Sequence, residues 1–279
     1  MNDSETQAML DAMESDQKKS KKFWSPEEGE NTIRFMPPLA KAKQEILPYF
    51  HHKVHWVDGT PYECLNQSMK DKDGNLHSAG DCPMCKKAMQ IYKVSEKGTP
   101  DWDLAGQLRA RDRYIYRVVV RGSKEETKPQ FYESGPSVFK KFFAILKSGK
   151  YGNIVHPTEG RDFILSVEGT GRRASYDNSL PDADRSPLFQ DADKMKEVLK
   201  NAIEMDYSSL VTFSTYEIMA TALKEFLEGG TDNSSSSGNV TENKKQEQSF
   251  TSSSKKEVSK SESDSAIDDV LAEFDADEF

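Results

Sequence analysis

The stretch His51–Cys85, "HHKVHWVDGTPYECLNQSMKDKDGNLHSAGDCPMC", holds all three cysteines of the chain and four of its five histidines. Cys82 and Cys85 are separated by two residues, a spacing that lets both sulfurs reach one tetrahedral metal ion. Cys64 ends a run that reads as a β-hairpin with Asp58-Gly59 as its turn. These three thiols need one imidazole to complete a set of four, and His55, His52, His51 and His77 compete for that place. Opposed residues on two hairpin arms sit at similar distances from the turn. That ranks His55 first and His52 second, with His77, in a loop near the cysteine pair, third. A zinc ion held by three sulfurs and one imidazole keeps no position for water, so the expected ion is structural and not catalytic.

Working outward, "NTIRFMPP" reads as a strand over Asn31–Met36 stopped by two prolines. "EILPYFHHKVHWV" is a second extended stretch, and "KKAMQIYKV" after Cys85 is helical. "RARDRYIYRVVVRG" (Arg109–Gly122) reads as a strand, "SVFKKFFAILKSG" as a helix closed by Gly149, and "RDFILSVEG" as a strand. "GTGRRASYDNSLPDADRSP" is a long polar loop. "DADKMKEVLKNAIEM" and "STYEIMATALKEFLEG" are two further helices, the second closed by Gly229-Gly230. The class is α+β.

Of the 279 residues, the last 51 change in character. Residues 229–263 are rich in Ser, Asn, Lys and Glu and cannot bury a core, which predicts a disordered linker. Residues 264–279 carry seven acids and no base, with Ile267, Val270, Leu271 and Phe274 at helical spacing. From Gly229 onward the net charge is −7 against −9 for the whole chain, so the acidity belongs mostly to this tail. Residues 1–22 form a polar arm ending in Lys18, Lys19, Lys21 and Lys22, and residues 23–228 form the expected core, with the metal subdomain at about 50–90. The first residues are acidic without an apolar core, and no run of about 18 apolar residues occurs, so neither a signal peptide nor a membrane span is expected. With an odd number of cysteines, this favours a metal site in a reducing cytoplasm over a disulfide framework.

Between Ala105 and Lys150 there are 11 bases and 4 acids. Arg109, Arg111, Arg113 and Arg117 alternate with Tyr114 and Tyr116. Further cation–aromatic groups are Lys128, Phe131 and Tyr132, and Arg172, Arg173 and Tyr176. Cations that track phosphates and flat rings that stack on unpaired bases are what single-stranded nucleic acid requires. No phosphate-cradling GxxxxGK[ST], HExxH or G-x-S-x-G motif is present. A zinc-deaminase site would need His-x-Glu before the PCxxC-like "CPMC", and no histidine here is followed two residues later by Glu. No enzyme is expected. The alternative is a zinc-ribbon adaptor of transcription or recombination that binds protein or duplex DNA.

These motifs, in order, resemble the helix-destabilising single-stranded DNA-binding protein family of T-even-type tailed phages. "NTIRFMPP", the His–hairpin–Cys–loop–CPxC run, "RARDRYIYRVVV", "FYESG" and "ASYDNS" each have a counterpart there, as do the Ser-rich linker and acidic end. The resemblance implies an OB-type five-stranded β-barrel with an inserted zinc subdomain and flanking helices. It implies one structural zinc on Cys64, Cys82, Cys85 and a histidine. The family's own spacing reaches His55 if both hairpin arms are shortened and His51 if they are not. It implies DNA-stacking roles for Tyr132, Tyr176 and Tyr114, and more loosely for Tyr92 and Trp102. The family's cooperativity arm carries a basic run at its start; here Lys18–Lys22 is the candidate for end-to-end self-association. The tail would compete with DNA and dock replication and recombination proteins. The expected setting is the cytoplasm of an infected bacterial host.

Overall fold

The structure, a computed structural model, describes residues 23–39, 47–70 and 73–229. The Lys18–Lys22 run, nearly all of the linker and the acidic end lie outside the described residues. In chain order the elements are β1 Gly29–Phe35, β2 Tyr49–Val57, β3 Thr60–Glu63, β4 Met69–Lys70 and β5 Leu76–His77. Then come α1 Pro83–Val94, α2 Pro100–Leu108, β6 Arg111–Val120, β7 Gln130–Ser134, α3 Pro136–Ser148 and β8 Phe163–Val167. β9 Leu180–Pro181, α4 Ala192–Glu204 and α5 Tyr216–Gly229 complete the set. Single 3₁₀ turns at Gly171–Arg173 and Tyr207–Leu210 join the later elements.

The α+β class read from the sequence holds. Seven antiparallel strands, rather than five, share the main sheet in the order β3-β2-β6-β1-β8-β9, with β7 paired to β6. The hydrogen-bonded path is open from β3 to β9 among the described residues. β6 is the spine. Tyr116 pairs with both Tyr49 and Tyr132, and Val118 with both Phe35 and Gln130. β2 and β1 therefore share one edge of β6, and β7 takes the other.

Alternation along β6 sends side chains to two covered faces. Tyr116 and Val118 join Ile33, Phe35 and Phe163 under Val138 and Phe142 of α3. Val119 points the other way, to Met36, Leu39 and the Val198–Leu199 face of α4. α1, α2 and α3 each open on a proline, which needs no hydrogen-bond acceptor for its nitrogen and is preset for the helical φ. α3 closes on Gly149 at φ 65°. The sequence reading left α2 unassigned. Its signals are Thr99, whose hydroxyl accepts from the Trp102 amide, followed by Pro100 and two acids in the first turn.

The fully buried Arg34 holds the β8–β9 side together. It donates to the carbonyls of Ser186 (2.6 Å) and His156 (3.0 Å) and pairs with Asp162 at 3.4 Å. Burial lowers its pKa to about 10, so the guanidinium stays charged at neutral pH. Gly160 leaves room for it: a Cβ there would fall 2.5 Å from Arg34 Nη2 and 2.7 Å from the Ile154 carbonyl oxygen. Gly160→Ala should therefore cost about 1–3 kcal/mol by overpacking. A urea-unfolding midpoint equal to the parent's would contradict this packing.

Candidate metal centre and nucleic-acid interface

The β2–β3 hairpin turns at Asp58 (φ 47°) and Gly59 (φ 78°), the left-handed pair that a two-residue turn matched to strand twist requires. His55 pairs with Tyr62, and the Cys64 amide donates to the Lys53 carbonyl (2.8 Å) just beyond the ladder. His55 and Cys64 are thus diagonal neighbours on one hairpin face. Cys82 caps α1, Pro83 starts it, and Cys85 lies in the first turn. This brings the ligand atoms of His55, Cys64, Cys82 and Cys85 within 4.8 Å of one another. Individual separations are 3.5 Å for Cys64 Sγ to Cys85 Sγ, 3.3 Å for Cys82 Sγ to His55 Nε2 and 3.6 Å for Cys85 Sγ to His55 Nε2. Tetrahedral bonds of about 2.3 Å to sulfur and 2.0–2.1 Å to nitrogen would set such atoms about 3.6–3.8 Å apart. The donor set fits one ion.

His55 Nδ1 lies 2.7 Å from the Leu108 carbonyl and donates to it. That fixes the tautomer and leaves the Nε2 lone pair facing the sulfurs, the usual outer-shell support of a metal-bound imidazole. Before an ion binds, burial lowers the His55 pKa but hydrogen bonding to Cys64 and Cys82 outweighs it and raises the value to about 9, so a bound ion would displace a proton from Nε2. Hydrogen bonds from Cys64 and Cys85 pull the Cys82 thiol far down, while Cys64 and Cys82 push Cys85 up. The sulfurs compete for one negative charge, a conflict that a bound cation resolves.

The other histidines are engaged elsewhere. His52 lies between Glu63 (2.9 Å) and Glu133 (3.1 Å), His51 Nε2 meets Asp112 at 2.9 Å, and His77 stacks on Phe213 at 3.8 Å. The hairpin count ranks His55 first, and His55 is the histidine that the structure groups with the three sulfurs. A helix the sequence placed only at the end also belongs here: Met219 and Leu223 of α5 join Leu65, Met84 and Ala88 in the core around the cluster.

Two clefts flank the start of β6. One, about 470 Å³, is lined by Trp24, Arg113, Tyr132, Glu133 and Tyr176 along the outer edge of β7. The other, about 490 Å³, is lined by Lys53, Cys85, Tyr92, Arg109 and Asp112 beside the metal cluster. Arg109, in the second cleft, and Arg111, at the start of β6, are exposed, and Arg173 is exposed on the Gly171–Arg173 turn. Of Arg172, in the same turn, only the backbone is described. Tyr92 meets the half-buried Trp102 edge-on at 4.6 Å. Trp24 escaped the sequence reading because it precedes every motif; its amide donates to the Phe131 carbonyl at 2.7 Å.

Several expected DNA contacts are corrected. Tyr116 and Arg117 are buried, because β6 is paired on both edges and covered on both faces. The Arg117 guanidinium lies 3.9 Å above the Tyr207 ring and donates to the Met205 carbonyl at 2.7 Å. Phe131, opposite Arg117 in the ladder, packs on the same Tyr207. Tyr132 reaches its cleft but is only 1% exposed, covered edge-on by Trp24 at 5.4 Å. Tyr114 stacks with Phe139 at 3.8 Å and His51 at 4.8 Å; two rings so close cannot share one face, so neither face is free. Lys128 lies at the far end of β6, paired with Glu125 at 2.6 Å.

An antiparallel-sheet domain carrying a closed four-ligand subdomain, with cationic and aromatic clefts along one strand, has the features of a nucleic-acid-binding module. The family model described as gp32 DNA binding protein like matches residues 27–227, and the chain belongs to that family. No curated protein matches the chain.

Elemental analysis should find about one ion per parent chain; His55→Ala should lose it, whereas His51→Ala should keep it. Retention of full metal by His55→Ala would refute the ligand set.

Proposed function

We propose that this protein binds single-stranded DNA without sequence preference and coats it during the replication, recombination and repair of a phage genome in its bacterial host. The observation that carries this reading is the join of cations and rings along one strand: the exposed Arg109 lines the Tyr92 cleft, Arg113 lines the Trp24–Tyr176 cleft, and the exposed Arg111 falls between the two in the chain. Cations there track phosphates, while half-buried rings offer faces to unpaired bases, each base–ring contact contributing about 1–3 kcal/mol. Duplex DNA hides those faces, so the site favours single strands. An OB-type groove between sheet and metal subdomain is the arrangement we favour for the bound strand. Membership of a DNA-binding family supports it.

Zinc is the ion we assign to the cluster, since three thiolates and one imidazole in tetrahedral array suit it. It would hold the hairpin against α1 and do no chemistry. The acidic residues 264–279 would compete with DNA for the basic face and dock other proteins of the replication machinery. Lys18–Lys22 would link neighbouring copies along the strand.

Fluorescence titration with oligo-dT and with duplex of equal length tests the reading. Binding should favour the single strand and weaken steeply with salt. Arg109→Gln and Arg111→Gln should each weaken binding across all sequences and reduce the salt slope by about one. Equal affinity for duplex and single strand would instead support an adaptor that binds duplex or protein. Removing residues 229–279 should tighten binding at low salt, and unchanged affinity would refute competition by the tail.

A further inference from the structure

His52 lies neither in the metal cluster nor at the surface, yet both its ring nitrogens are engaged. Nδ1 is 2.9 and 3.1 Å from the two carboxylate oxygens of Glu63, and Nε2 is 3.1 Å from Glu133. The ring is buried on β2, directly opposite Arg113 in the β2–β6 ladder. Glu63 immediately precedes the ligand Cys64, and the Gln67 amide also donates to it at 3.1 Å. Glu133, on β7, accepts on its second oxygen from Arg113 Nη2 (2.6 Å) and Nε (3.0 Å). Arg113 lines the Trp24–Tyr176 cleft and keeps 27% of its side chain exposed.

A buried imidazole with a carboxylate on each nitrogen is stable only as the cation, because each nitrogen then donates. Burial lowers the His52 pKa, but Glu133 and Glu63 outweigh it and raise the value to about 9. Two carboxylates and two cations thus balance beneath the cleft. The Glu133 carboxylate is shared: one oxygen serves His52 and the other Arg113. A neutral residue at 52 would leave two buried carboxylates facing one guanidinium and bind Arg113 more firmly inward.

We infer that His52 is a positioning residue for nucleic-acid binding: by taking part of the charge of Glu133 it leaves the Arg113 guanidinium available to a phosphate in the cleft. The chain Cys64–Glu63–His52–Glu133–Arg113 also links the metal-bearing hairpin to that guanidinium. This rests on the single-strand-binding reading above.

Oligo-dT titrations over a salt series test it on the full-length, metal-loaded chain. His52→Gln should bind about tenfold more weakly near 0.1 M salt, with a slope reduced by about one, as for a lost phosphate contact. Arg113→Gln should match it, and His52→Gln combined with Arg113→Gln should be no weaker than Arg113→Gln alone. Glu133→Gln on the His52→Gln background should restore parental affinity, a rescue that a purely packing role for His52 would not give. Glu133→Gln alone, which keeps His52 paired to Glu63, should bind at least as tightly as the parent and serves as the test if His52→Gln does not fold. Parental binding by His52→Gln, an undiminished effect of it without Arg113, or weak binding by Glu133→Gln overturns the inference alone. A parent chain that ignores oligo-dT overturns the single-strand reading with it.

Discussion

Three cysteine sulfurs and one imidazole nitrogen within 4.8 Å of each other are a charge problem before they are a structure. Ligand-ready thiolates repel one another, and their mutual proton sharing drives Cys82 and Cys85 in opposite directions. A divalent cation removes that conflict, and the rest of the subdomain is arranged around the solution. The Leu108 carbonyl holds the His55 ring in one tautomer, and Leu108 ends the helix that feeds directly into β6. The ion would therefore fix the hairpin, the start of α1 and the entry to β6 together. β4 and β5, two residues each, add little backbone pairing of their own. The core of Leu65, Met84, Ala88, Met219 and Leu223 packs around the ligands, and an ion would add a cross-link within it.

β6 carries that order into the main sheet. Its first half is bonded to β2 and so to the metal hairpin; its second half is bonded to β1 and the larger core. One strand is thus common to both hydrophobic clusters of the sheet and borders the third. Displacement of the hairpin would shift the register partners of Asp112 and Arg113, the β6 residues that line the two clefts. The metal cluster and the two clefts are joined through backbone hydrogen bonds before any side chain is considered.

The hairpin and its ligands were legible because the turn chemistry is local: Asp58-Gly59 sets the register, and the register puts His55 on the face of Cys64. What was not legible depends on residues distant in sequence. "RDRYIYRV" reads as a solvated cationic face, but Tyr207, nearly a hundred positions later, covers Arg117, and Trp24, far upstream, covers Tyr132. Periodicity reports which residues share a face and cannot report whether that face is covered. α2 was missed for a different reason. It spans Pro100–Leu108, too short for a strong periodic signal, and its evidence lies in its cap.

The same burial changes what the positive charge between Ala105 and Lys150 can do. Arg117 is spent on Tyr207 and Met205, Arg121 on Asp162 and Glu126, and Lys128 on Glu125. The second half of β6 therefore offers little field to a polyanion, whatever the composition suggests. Along β6 and its approach, the exposed Arg109 and Arg111 and the shared Arg113 lie at the end joined to the metal hairpin, where Lys53 is also exposed, while Lys124, Lys140, Lys147 and Lys150 are exposed off the strand. Coulomb attraction falls off over about 8–10 Å in physiological salt, so these cations would act mainly on a strand passing the two clefts. Charge pairing along the second half of β6 thus leaves the strand's available cations at the end whose geometry a bound ion would help to set.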